Sequence, residues 1–128
     1  MRLFLQVEIG HARESHDDRP LLHFASSLSS DLIGTDIDNQ SDSVVIDLVV
    51  NLIEQVDSVF LMVIVNDPGA PLGNVSQVLT CLMDHSSVTG ALLGNHELAE
   101  KILGGFDKHL TRVNKNEEIK RLIAEFAQ

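Results

Sequence analysis

Residues 59–65 read VFLMVIV and are followed at 66–73 by NDPGAPLG. A continuous run of β-branched and apolar residues has no wet face. It predicts a central strand covered on both sides, as in parallel sheets. The Asn, Asp, Pro and Gly residues after it demand a sharp turn at the strand's carboxyl end. Working outward, Asn74 is placed to cap a helix through Val75, Val78, Leu79, Leu82 and Met83.

On the amino-terminal side, the wet residues of segment 43–56 are Ser43, Asp47, Asn51, Glu54 and Gln55. The rest of that segment is aliphatic, which gives one narrow polar stripe at helical spacing. Leu3, Leu5, Val7 and Ile9 alternate with Arg2, Phe4, Gln6 and Glu8 and predict a first strand with one buried face. Gly10 ends it. Residues 11–20 (HARESHDDRP) form a charged connection, 21–25 a candidate second strand, and 26–42 a loop with at most a turn of helix. Residues 11–42 thus form a variable loop region.

Toward the carboxyl end, residues 88–93 predict a short strand. Asn95 predicts the cap of a helix through Leu98, Ile102 and Leu103, which Gly104 and Gly105 stop. Residues 110–113 make a last strand. Asn114 with Glu117 resembles a capping box for a helix through Ile119, Leu122, Ile123 and Phe126. The whole reads as one α/β domain over residues 1–128, without internal repeats, with parallel neighbours in its sheet.

Composition narrows the function. Nineteen acidic residues against nine basic ones give a net charge of −10, which repels nucleic acid and anionic membranes. The basic residues gather late, at Lys108, Arg112, Lys115, Lys120 and Arg121, as a solvated face or a local anion site. The apolar stretch 44–65 carries Asp47, Glu54 and Asp57, charges too costly for a membrane span. No signal peptide pattern opens the chain. A single cysteine, Cys81, fits a reducing, cytoplasmic setting and a buried packing role.

Two clusters invite a metal. Gly94-Asn95-His96-Glu97 follows a strand and resembles the GNHE element of calcineurin-like metallophosphoesterases. That family's Asp-x-His, Gly-Asp-x-x-Asp and Gly-His-x-His motifs are missing, and a helix start at Asn95 and Glu97 explains the same letters. His11, His16, Asp17, Asp18 and His23 sit on or beside the charged connection and read as a solvated loop. No phosphate-binding Gly-rich loop, nucleophile elbow or Cys-x-x-Cys pair occurs. The residues therefore call for no metal, no cofactor and no catalytic group.

The segment 66–76 joins the central strand to a helix start, where ligands gather in open α/β sheets. From Val63 the run VIVNDPGAPLGNVSQVLTCL resembles the STAS domain (sulfate transporter and anti-sigma-factor antagonist), and the later spacing resembles its SpoIIAA-like branch. The family pattern there is an apolar strand, a Gly-x-Pro turn, then Asp-Ser-Ser-Gly opening a helix. Gly69, Pro71, Asn74 and Ser76 occupy the corresponding slots. The phosphorylated slot is Val75, Asn74 replaces the acid and Gln77 the Gly, so Ser76 is the candidate phosphoacceptor.

The resemblance implies a mixed β-sheet with about four helices packed mainly on one face. It also implies a non-enzymatic regulatory domain that binds a protein partner, or a small anionic or apolar ligand. Asp67, Gly69, Pro71, Asn74, Ser76 and the helix through Met83 would form the contact surface, and a homodimer is one expected assembly. Two alternatives stand beside it. One is a small metal-dependent hydrolase using His96 and Glu97, with Asp36, Asp38 or His16. The other is a domain binding a lipid-like molecule in a closed aliphatic cavity.

Overall fold

The computed structural model describes residues 1–10, 20–85, 87–104 and 110–128, with the side chains of Pro20, Leu22 and Asn116 left aside. The charged connection at 11–19, with His11, His16, Asp17 and Asp18, and Gly105 and Lys108 lie outside the described residues. Within them the order is β1 (Arg2–Ile9), α1 (Pro20–Leu28), β2 (Leu32–Asp38), α2 (Ser43–Gln55), β3 (Ser58–Val65), α3 (Val75–Met83), β4 (Val88–Leu93), α4 (Glu97–Ile102), β5 (Leu110–Val113) and α5 (Asn116–Ala127). No helix among the described residues is long and apolar enough to cross a membrane.

All strand pairs are parallel, and the sheet order is β2-β1-β3-β4-β5. The chain steps outward from β1 to β2, then back across β1 to β3 and on to β4 and β5. Right-handed crossovers put helices on one face for one direction and on the opposite face for the other. Packing agrees. Ile46, Val49 and Ile53 of α2, Val75 to Leu82 of α3 and Ala99 of α4 share a core with Leu3, Leu5, Val7, Leu61 and Val63. Leu21 and Ala25 of α1 and Ile119 and Ile123 of α5 pack against Phe4, Phe60, Met62 and Ala91 on the other side.

This corrects the expected mixed sheet with helices mainly on one face. The sheet is wholly parallel and doubly wound, with helices on both faces. The central strand behaves as read, with residues 59–63 buried. In β1 the alternation misleads, because Phe4 and Gln6 are as enclosed as their aliphatic neighbours once α1 and α5 cover the second face. The candidate strand at 21–25 is helix, and the loop assigned to 26–42 contains β2. Leu21, Phe24 and Ala25 fall at helical spacing on one face. Gly34, Asp36 and Asp38 disguise β2, which pairing with β1 along seven residues nevertheless holds extended.

Candidate functional site

The loops at the carboxyl ends of the strands are knit around residues 66–74. The amides of Asn66 and Asp67 both donate to the Ile9 carbonyl, at 2.7 and 3.2 Å. Gly10 has φ +120°, and a Cβ there would stand 2.7 Å from the Asp67 nitrogen, so only glycine allows β1 to end this close to the loop. Asp67 Oδ1 accepts from the Gly69 amide at 2.9 Å, an Asx turn that leaves Asp67 and Gly69 exposed.

Two neighbouring loops hold this one from either side. Asn39 accepts from the Gly10 amide through Oδ1 at 3.2 Å and donates through Nδ2 to the Pro71 carbonyl at 3.0 Å. His96, buried at 6% exposure, bonds the Ala70 carbonyl through Nε2 at 2.7 Å, while its Nδ1 accepts from the Ala99 amide at 3.2 Å. An acceptor at Nδ1 places the ring proton on Nε2. His96 is thus the cap of α4 and the tie between two loops, with both nitrogens occupied.

Its backbone amide bonds Glu100 Oε2 at 3.0 Å, and Arg112 of β5 reaches Glu100 Oε1 at 2.6 Å, Asn95 Oδ1 at 2.5 Å and the Gly94 carbonyl at 2.7 Å. The late basic residue Arg112 is therefore a clamp on the β4–α4 turn. Lys115, Lys120 and Arg121 are exposed.

These positions revise several expectations. Asn74 stands at the start of α3 but makes no cap bond; its Nδ2 donates to the Ser41 carbonyl at 3.3 Å. Ser76 Oγ donates to the Gly73 carbonyl at 3.1 Å and is half-buried. Asp67, Gly69, Pro71, Asn74 and Ser76 do share one loop and helix start, as the sequence reading had them. The cap of α4 is His96, not Asn95. Lys115, not Asn114, precedes α5, without a capping bond.

Among the described residues the hydrolase reading finds no grouped ligands, while His16 and most of the second cluster lie outside them. Glu97 points to Lys101 at 3.5 Å, and Asp38 Oδ1 accepts from the Gln40 amide at 2.8 Å. Among the described residues no three His, Cys, Asp or Glu side chains are grouped to hold a metal ion. Cys81 lies at the opposite edge of the sheet, in a surface cleft of about 640 Å³ with Glu54, Asp57, Asp84 and His85. Burial, and then Glu54 and Asp84, push its thiol up, so it stays protonated. The clefts at Cys81, beside α5 and at residues 95–101 are open surface features.

The strand order and the helices on both faces define a doubly wound, flavodoxin-like α/β domain, with its switch point between β1 and β3. No protein-family model and no curated protein matches the chain. A similar solved structure is the NADPH-quinone reductase from P. pentosaceus, with 11% identity across 100% of this chain and 96% of that one, and a TM-score of 0.49. At that score the fold assignment rests on the strand order and not on the match.

The STAS and SpoIIAA-like resemblance is thereby overturned. It was carried by a local loop pattern, and the wholly parallel, two-faced sheet does not fit the layout it implied. The non-enzymatic regulatory role was drawn from that resemblance and loses its support with it. Asn39 was missed in the sequence because its strand was; a polar run, DNQSD, after a strand would have been the signal.

Proposed function

We propose that the chain is an oxidoreductase-type domain that holds a flat ring cofactor, of the flavin class, at the crevice between the carboxyl ends of β1 and β3. The observation that carries this reading is the reversal of the winding direction between β1 and β3, since open α/β sheets bind ligands at such a switch point and flavodoxin, with this strand order, holds a flavin there. The residues on the rim fit the ring. Exposed Asp67 and Asn95 offer acceptors and donors to a heterocycle edge, on loops that Asn39 and His96 keep fixed. They do not fit a phosphate, because Glu8, Asp38 and Asp67 all face this end of the sheet with negative charge.

When bound, such a ring supplies hydride and electron transfer. The protein's share is to orient it: Asp67 holds a ring N–H, and the fastened loop 66–74 resists movement as the ring enters. Preorganisation of that kind lowers the cost of binding.

The experiment is a titration with flavin mononucleotide and, separately, riboflavin, followed by amide shifts in ¹H–¹⁵N spectra and by flavin fluorescence. A coupled assay adds NADPH and a quinone. The amides of Gly10, Asn66, Asp67, Gly69, Gly94 and Asn95 should move, riboflavin should bind at least as well as its phosphate, and Asp67→Ala should weaken binding roughly three- to ten-fold by loss of one solvent-exposed hydrogen bond. If both flavins leave those amides unmoved, the reading is wrong.

A further inference from the structure

The two faces of the sheet are not equally covered. Among the described residues, helices α2, α3 and α4 lie on one side and α1 and α5 on the other, with α1 at the β1–β2 end. Beside α5, over the amino-terminal halves of β3, β4 and β5, this leaves a cavity of about 320 Å³. Its floor is Phe60, Thr89 and Thr111. Phe60 and Thr89 stand side by side in the strand register. Its wall is Leu122, Glu125 and Phe126, one face of α5 at i, i+3, i+4.

The lining combines an aromatic surface with a few polar groups placed at the rim. The Phe60 ring is buried, stacked on Phe4 at 5.7 Å and tilted at 58° to Phe126 at 5.6 Å, so half-buried Phe126 is the aromatic group the lining presents. Glu125 has no ion-pair partner, and the hydroxyls of Thr89 and Thr111 no hydrogen-bond partner, among the described residues. A small cavity with apolar walls and convergent polar groups is the usual form of a ligand site.

We infer that this cavity is a second binding site, separate from the carboxyl edge, for a small aromatic amine. The ring packs against Leu122 and Phe126. The ammonium group reaches Glu125, and the Thr89 and Thr111 hydroxyls accept its remaining N–H bonds. The charge complementarity selects the cation: an aromatic carboxylate of the same size meets Glu125 with like charge.

The probe is phenethylamine, with phenylacetate as its anionic counterpart, each titrated into the full chain and followed by amide shifts. Phenethylamine should move the amides of Thr89, Gly90, Thr111 and Phe126 in a saturable way, and phenylacetate should leave them in place. Glu125→Gln, an exposed substitution that keeps the fold, should weaken phenethylamine roughly two- to five-fold, the range of an exposed ion pair. Equal responses to the two probes, no saturable response to phenethylamine, or an unchanged affinity in the Glu125→Gln variant would each overturn the assignment.

Discussion

Arg2 is the side chain at which the two ends of the sheet's second face meet. Its Nε and Nη2 bond the Asp31 carboxylate at 3.2 and 2.8 Å. Nη1 and Nη2 donate to the carbonyls of Phe126 and Ala127 at 2.7 and 2.9 Å. Those carbonyls end α5, where helical acceptors lack partners and a cation is favoured by the helix dipole. The hydrogen bonds from Arg2, and then from Ser29, pull the Asp31 carboxyl from 3.8 to about 2. A depressed carboxyl contributes stability that is complete above its unfolded pKa and disappears as pH falls through the folded one. The Asp31 contribution is therefore present at neutral pH and lost between about pH 4 and pH 2. Denaturation midpoints measured from pH 6 to pH 2 should fall less steeply below pH 4 for Asp31→Asn than for the natural chain. Parallel curves would mean that the pair contributes nothing. Nothing in the sequence marks this pair, since its partners are 29 residues apart and meet only when β1 and the turn before β2 are side by side.

At the scale of elements, α2 separates what a sequence pattern establishes from what packing decides. Its period is helical and Asp42 caps it, accepting from the Val45 amide at 3.0 Å. The aliphatic positions are so many that the helix reads as buried nearly all round, yet only Ile46, Val49 and Ile53 are. Val44 and Leu48 are 67% and 65% exposed. A single layer of helix on a sheet can bury one face of each helix and no more. Ile46→Ala should accordingly cost roughly 2–5 kcal/mol in chemical denaturation, whereas Leu48→Ala should stay within about 0.5 kcal/mol. A large cost at Leu48 would reveal a contact that the fold does not supply. The alternation of strand and helix from β3 onward was legible because strong periods and turn residues coincide there. Before α2 it was not. The apolar residues of 21–25 suit either structure over so short a window, and β2 gains its extended form from β1 rather than from its own side chains. The same gap hid half of the candidate site, since Asn39 follows β2, while the loop 66–76 stood out for its turn chemistry.

Across the whole molecule the strand order sets where the structure is strongest. β1 and β3 are flanked by strands on both sides and covered by helices on both faces. β5 has one neighbour, runs only over Leu110–Val113, and leaves Thr111 and Arg112 exposed. Local opening needs less free energy where fewer apolar contacts and fewer ladder bonds must break. Detaching β5 breaks one short ladder and uncovers Leu110 and Val113, whereas detaching β3 splits the sheet and both of its cores. Native-state hydrogen exchange should therefore find the hydrogen-bonded amides of β5 at least about ten-fold less protected than those of residues 60–63, which corresponds to about 1.4 kcal/mol. The charge of −10 acts in the same direction at low ionic strength, because a self-repelling surface favours opening at the edges first, and added salt should narrow the difference. Protection of β5 equal to that of β3 would mean that this edge is covered in solution.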